Sequence, residues 1–154
     1  ALASYRRPAQ SELRRTFDGA LRERIDGNLS NITGLIEAHP QTEFVFFMPP
    51  FSILYWDREL RSGTFDSTMD ATEYAMERLL EYGNVRLYYY QMEQDVILNL
   101  DNYKDYSHYG SWINDTVTAW IAEDRGRVTL ENCGDVVDQA KSFVHSFDFS
   151  AIFE

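Results

Sequence analysis

Glu43-Phe44-Val45-Phe46-Phe47-Met48-Pro49-Pro50 is the stretch on which the fold turns. Its nearly continuous apolar run, rich in aromatic side chains and stopped by two prolines, reads as a short strand covered on both faces. Strands of that kind belong to parallel sheets, so the run predicts a central parallel strand. A second strand is expected from Asn84 to Tyr90, and the two are separated by a helical pattern. In that pattern Ser67 can cap a helix whose positions Ala71, Tyr74, Ala75, Leu79 and Leu80 share one face, with Gly83 as its stop.

Outward from this unit the order of helix and strand continues. Upstream, Phe17, Leu21, Ile25, Leu29, Ile32, Leu35 and Ile36 keep helical spacing from Leu13 to His39-Pro40. They predict one long amphipathic helix with a weak point at Gly27. Downstream, Trp112, Ile113, Val117, Trp120 and Ile121 mark a helix starting after Tyr109, and Val136, Val137, Ala140, Phe143, Val144 and Phe147 mark a last one. Strand, helix, strand, helix implies parallel crossovers, with the carboxyl ends of both strands at one edge, where open α/β sheets bind their ligands.

Composition narrows the function. The 154 residues, 44% hydrophobic and 15% aromatic, suffice for one domain over 1–154 with a core of its own. The net charge of −11 is unevenly spread: residues 1–30 hold six Arg against four acids, and the rest hold eight basic against twenty-one acidic residues. An acidic body repels phosphate backbones, so nucleic acid is not an expected partner. One cysteine, Cys133, leaves no intramolecular disulfide and no multi-cysteine metal site. The three histidines lack the spacing of a zinc site, so neither a metal nor any other cofactor is expected. No run approaches the roughly 18 apolar residues of a membrane span.

Asn99-Leu100-Asp101-Asn102-Tyr103-Lys104-Asp105-Tyr106-Ser107-His108-Tyr109 carries the clearest chemistry. A nucleophilic serine needs a neutral imidazole to take its proton, and the imidazole needs a carboxylate to fix its tautomer. Asp105 and His108, three residues apart, supply that pair. The spacing alone would arise about 0.25 times by chance in this composition, so its weight comes from the setting. It follows a strand, has aromatic flanks in Tyr106 and Tyr109, and leads into a helix. The competing reading is a helix-entry loop in which Asp105 bonds backbone amides and His108 packs on tyrosines.

On these residues the chain resembles the C-terminal part of the SGNH/GDSL hydrolase family, whose last block is an Asp-x-x-His in this setting. Phe46-Phe47-Met48-Pro49-Pro50-Phe51-Ser52-Ile53-Leu54-Tyr55-Trp56 and Asn99-Leu100-Asp101-Asn102-Tyr103 look like segments of a bacterial branch of uncharacterised, often membrane-anchored envelope proteins. The resemblance spans most of residues 28–150. It implies an α/β fold of three layers, a mostly parallel sheet flanked by helices in the flavodoxin-like or SGNH-like manner, here incomplete. It further implies an esterase or O-acyltransferase of the bacterial cell envelope, anchored through a segment upstream, acting on a glycan or small-molecule ester. His108 would be the base and Asp105 its orienting carboxylate.

The family's Gly-Asp-Ser motif has no counterpart in the chain, so the nucleophile and oxyanion hole are expected upstream. Ser52 follows a strand, but Pro-Pro-Phe-Ser lacks the small residues of a nucleophile turn, and a helix or turn cap is the plainer reading. Ser107 would cap the next helix. Tyr55, Trp56, Tyr106 and Tyr109, with Ser52, are the candidate substrate-binding residues, since aromatic rings stack on sugars. Two other readings stand beside the enzyme: a non-catalytic carbohydrate-binding or scaffold module of the same descent, and an interaction domain using its acidic surface. A sheet lacking its first strands would expose an edge, a route to homo-oligomers.

Overall fold

The structure, a computed structural model, describes residues 1–153. It is an α/β fold of six helices and a small open sheet: α1 Gly19–Ala38, β1 Phe44–Met48, α2 Ile53–Ser62, α3 Phe65–Leu80, β2 Val85–Tyr89, α4 Gln94–Ile97, α5 Trp112–Ala122, β3 Arg127–Val128 and α6 Cys133–Ser146. β1 and β2 pair in parallel from Phe44 opposite Val85 to Met48 opposite Tyr89, as the two apolar runs imply. β3 adds only Arg127 and Val128, antiparallel to β2. The sheet is therefore mixed, its main pairing parallel and its short third strand antiparallel. Its order is β1-β2-β3, which makes β1 an edge strand and β2 the central one. The apolar run of β1 misleads on this point because one free edge leaves both faces of a strand able to be covered.

β2 divides its side chains between two cores. Val85, Leu87 and Tyr89 join Ile36, Trp56, Phe65, Met69, Met76, Val137 and Val144 on the face of α1, α3 and α6. Tyr88 and Tyr90 face Val96, Tyr103, Ile113 and Val117, which come from α4, the following loop and α5. Burying a large apolar side chain is worth about 1.5–3 kcal/mol, so this alternation pins the register of β2.

The first helix departs from the periodic reading. It starts at Gly19, not near Leu13, with Asp18 Oδ1 accepting from the Leu21 amide at 2.9 Å. Residues 5–18 instead run as a strap along α2, where the Ser11 amide donates to Arg61 O at 2.7 Å and the Arg15 amide to Gly63 O at 2.8 Å. Two features favour the strap over another turn of helix. Gly63 ends α2 in the left-handed region at φ 70°, and the Leu13 carbonyl oxygen lies 1.9 Å from where a Cβ would stand. Arg7 forms a bidentate pair with the buried Asp57, to which Tyr5 also donates at 3.0 Å.

α2 itself follows the two prolines and buries Ile53, Leu54, Trp56 and Asp57. Ser67 does not cap α3, which opens at Phe65; the Ser67 hydroxyl donates back to Thr64 O. No helix among the described residues is long and apolar enough to cross a membrane.

Candidate functional site

The carboxyl ends of β1 and β2 open into the two segments singled out above, and the fold joins them. The Ser52 hydroxyl donates to Tyr106 O at 2.6 Å, and the Tyr103 hydroxyl donates to Pro50 O at 2.7 Å. The second loop is closed on itself like a small hairpin. Tyr103 and Tyr109 form an antiparallel bridge, the Lys104 amide donates to His108 O at 2.8 Å and the Gly110 amide to Asn102 O at 2.7 Å. Asn102 ties its base to the scaffold, donating to Val96 O and accepting from the Trp112 indole.

Within this frame Asp105 is the organising side chain. Its Oδ1 accepts from the amides of Ser107 and His108, both at 2.9 Å, which sets the turn. The same carboxylate lies 2.9 and 2.8 Å from His108 Nδ1. Partial burial would raise the Asp105 pKa, but the two amides and the imidazole outweigh it and hold the carboxyl well below the usual carboxylate range. An ionised carboxylate can only accept, so Nδ1 is the ring donor to Asp105, and in the neutral Nδ1–H tautomer the lone pair is at Nε2. The His108 side chain is 78% exposed and Nε2 has no hydrogen-bond partner among the described residues. In that tautomer the exposed Nε2 can accept a proton from solvent or from a bound hydroxyl.

The candidate serines are placed differently. Ser52 sits at the N-cap position of α2, fully buried; its hydroxyl donates to Tyr106 O and accepts no hydrogen bond from the amides of the helix. Ser107 Oγ is 3.3 Å from Asp105 Oδ1 and 3.4 Å from His108 Nδ1, on the carboxylate side of the ring and not at Nε2. It does not cap α5 either, since that helix begins at Trp112 after Ser111.

Of the aromatic candidates, Tyr55 and Tyr106 stack on each other with centroids 6.2 Å apart and an interplanar angle of 17°. Burial, then the nearby Glu59, pushes the Tyr55 phenol up to about 12. Tyr109 is half-buried beside the second core. Trp56 is withdrawn from the site: at 1% exposure it packs edge-on against Phe65 and Tyr55, with no face for a ligand.

Four further residues border the loop without having been singled out by sequence. Arg58 lies over the Tyr106 ring at 5.0 Å, Tyr5 packs on Tyr106 at 6.4 Å, and Phe153 stacks on Tyr5 at 6.1 Å. Trp112, 54% exposed, follows the loop closely. Arg58 stands one helical turn after Tyr55 and would be legible once α2 is assigned, whereas Tyr5 and Phe153 arrive from the two ends of the chain with no local signal. No group of three or more metal-ligating side chains occurs among the described residues.

No protein-family model matches this chain, and no curated protein or solved structure matches it. The chemistry of the Asp105–His108 loop therefore carries the functional reading.

Proposed function

We propose that the chain is the C-terminal part of a three-layer, flavodoxin-like SGNH domain working as a serine esterase or O-acyltransferase. The observation that carries this reading is the Asp105–His108 pair, with Nδ1 held by a carboxylate and Nε2 open. His108 Nε2 accepts the proton of a serine hydroxyl as that oxygen attacks an ester carbonyl. The imidazolium, steadied by Asp105, then protonates the departing alcohol and leaves an acyl-enzyme. Water or an acceptor hydroxyl repeats the sequence in reverse and frees the serine.

The serine and oxyanion donors come from sequence upstream of residue 1, because Ser52 is buried against Tyr106 and Ser107 lies on the wrong side of the ring. The substrate class is a cell-envelope glycan ester or a similar small ester, which Tyr106, Tyr109 and the exposed Trp112 would meet with aromatic surface. The setting is the bacterial envelope, with a membrane anchor upstream. A second reading, a carbohydrate-binding module without catalysis, is favoured by one observation: both serines near His108 are already hydrogen-bonded.

Fluorophosphonate labelling read by peptide mass spectrometry separates the two. The expected result is no label on residues 1–154, and a label on an upstream serine in a polypeptide extended toward its N-terminus, lost in His108→Ala. Labelling of Ser52 would instead make the chain a self-contained hydrolase. No label on either polypeptide would leave the binding module.

A further inference from the structure

Residues 5–18 run along α2 to the candidate site, held there mainly by polar bonds. From Arg6 to Asp18 only Pro8, Ser11 and Phe17 are not exposed. The Ser11 and Arg15 amides donate to Arg61 O and Gly63 O, and Arg61 Nε donates to Pro8 O. The tie at Asp57 is of another kind. That side chain is 2% exposed, and its carboxylate accepts from Arg7 Nε at 2.9 Å, from Arg7 Nη2 at 2.8 Å and from the Tyr5 hydroxyl at 3.0 Å. A carboxylate buried to that degree requires a partner. The strap supplies every hydrogen bond that the Asp57 side chain accepts among the described residues.

The same strap reaches the His108 loop. The base of that hairpin is fixed by Tyr103 on Pro50 O and by Asn102 on Val96 O. The bonds within its tip set Asp105 against His108. Among the described residues, the hydrogen bonds and ring contacts that join the tip, from Asp105 to His108, to other elements all belong to Tyr106. Its carbonyl accepts from Ser52, and its ring meets Tyr55, Arg58 and Tyr5. Ser52, Tyr55 and Arg58 come from α2 or its N-cap. Tyr5 is the one wall of this slot that the strap contributes, and it is held there by its bond to Asp57. Phe153 backs it, stacking on Tyr5 while the Arg7 guanidinium lies 4.4 Å from the Phe153 ring centroid.

We infer that residues 5–18 are a latch for the base. When Arg7 and Tyr5 seat on Asp57, the Tyr5 ring closes the slot around Tyr106 and fixes where His108 Nε2 stands. Tyr5, Arg7 and Asp57 are thus positioning residues of the proposed reaction, and they touch none of the reacting atoms. A strap with so little buried apolar surface opens locally at small cost. Opening leaves the bonds inside the hairpin intact but frees its tip, so the acid–base pair persists while its place above the sheet is lost. The catalytic consequence rests on the proposed function, whereas the latch itself rests on the contacts alone.

Backbone ¹⁵N relaxation on the whole chain tests it. Order parameters of the Asp105–His108 amides are expected near the rigid value of about 0.85, and below about 0.6 in Tyr5→Ala. Arg7→Met/Asp57→Leu should give the same loss, and it removes both charges together so that none is left buried. Tyr5→Phe keeps the ring and leaves Arg7 on Asp57, so the tip should stay rigid. Asp26→Asn, which breaks the ties of Tyr74 and Arg78 to α1 instead, should leave it rigid too. The inference is overturned by a tip already mobile in the unaltered chain, by one that Tyr5→Ala leaves rigid, or by an equal loss in Asp26→Asn. In a polypeptide extended upstream, fluorophosphonate should label the serine at least about tenfold more slowly in Tyr5→Ala, since a small misplacement of a base is costly; an unchanged rate would also overturn it. Absence of any label there would remove the enzyme reading instead, with the order parameters still deciding the latch.

Discussion

The two segments that leave the carboxyl edge of the sheet are opposites. Pro49 to Asp57 turns inward: Ser52, Trp56 and Asp57 are buried, and each binds or packs on another part of the fold. Asp105 to Tyr109 turns outward, fixed by its own backbone bonds and by one carboxylate, and it presents an exposed imidazole. A hydroxyl at the end of a strand is thus not reactive by position. Ser52 ties down the loop that carries His108, and the proposed chemistry falls to the segment whose polar groups are satisfied locally but whose Nε2 is not.

The contrast can be broken in graded steps. Trp56→Ala should destabilise most, by about 3–5 kcal/mol in chemical denaturation, because it empties a large core site. Gly63→Ala should cost about 2 kcal/mol, since it places a Cβ in the left-handed region and against the Leu13 carbonyl. It should also release the strap, read as faster tryptic cleavage at Arg14 and Arg15. Ser52→Ala should lose about 1 kcal/mol by unpairing Tyr106 O, and raise amide exchange across residues 103–109. Asp105→Asn should have the smallest effect on stability, about 1 kcal/mol or less, because the site is partly solvated.

That last increment has a defined pH dependence. The folded state depresses the Asp105 pKa, so the stabilisation is present above the ordinary carboxylate value of about 4 and is lost as pH falls below it. Comparing the unaltered chain with Asp105→Asn in urea at neutral and at acid pH should show the gap closing in acid. A gap that widened in acid would contradict the assignment.

Much of this was legible in local sequence, and the exceptions share a cause. The β1 and β2 runs, the helix over Ala71–Leu80 and the Asp105–His108 turn each depend on residues within a few positions of one another, so pattern suffices. β3 is two residues long and offers no pattern. The strap is helical by spacing, but its backbone bonds to Arg61 and Gly63 and its Arg7–Asp57 pair join positions about fifty residues apart, which spacing does not encode. α2 was masked because the apolar residues after Pro49-Pro50 read as lining for a site, when Ile53, Leu54 and Trp56 are one buried helical face. The edge position of β1 is likewise a property of its neighbours and not of its own residues.

Asp105 holds His108 with Nδ1 as donor, which leaves Nε2 open. Long-range ¹H–¹⁵N spectra of the His108 ring at alkaline pH test it most directly. The Nδ1–H tautomer is expected in the unaltered chain, and its loss in Asp105→Asn. A dominant Nε2–H tautomer, or one that Asp105→Asn leaves unchanged, would contradict it.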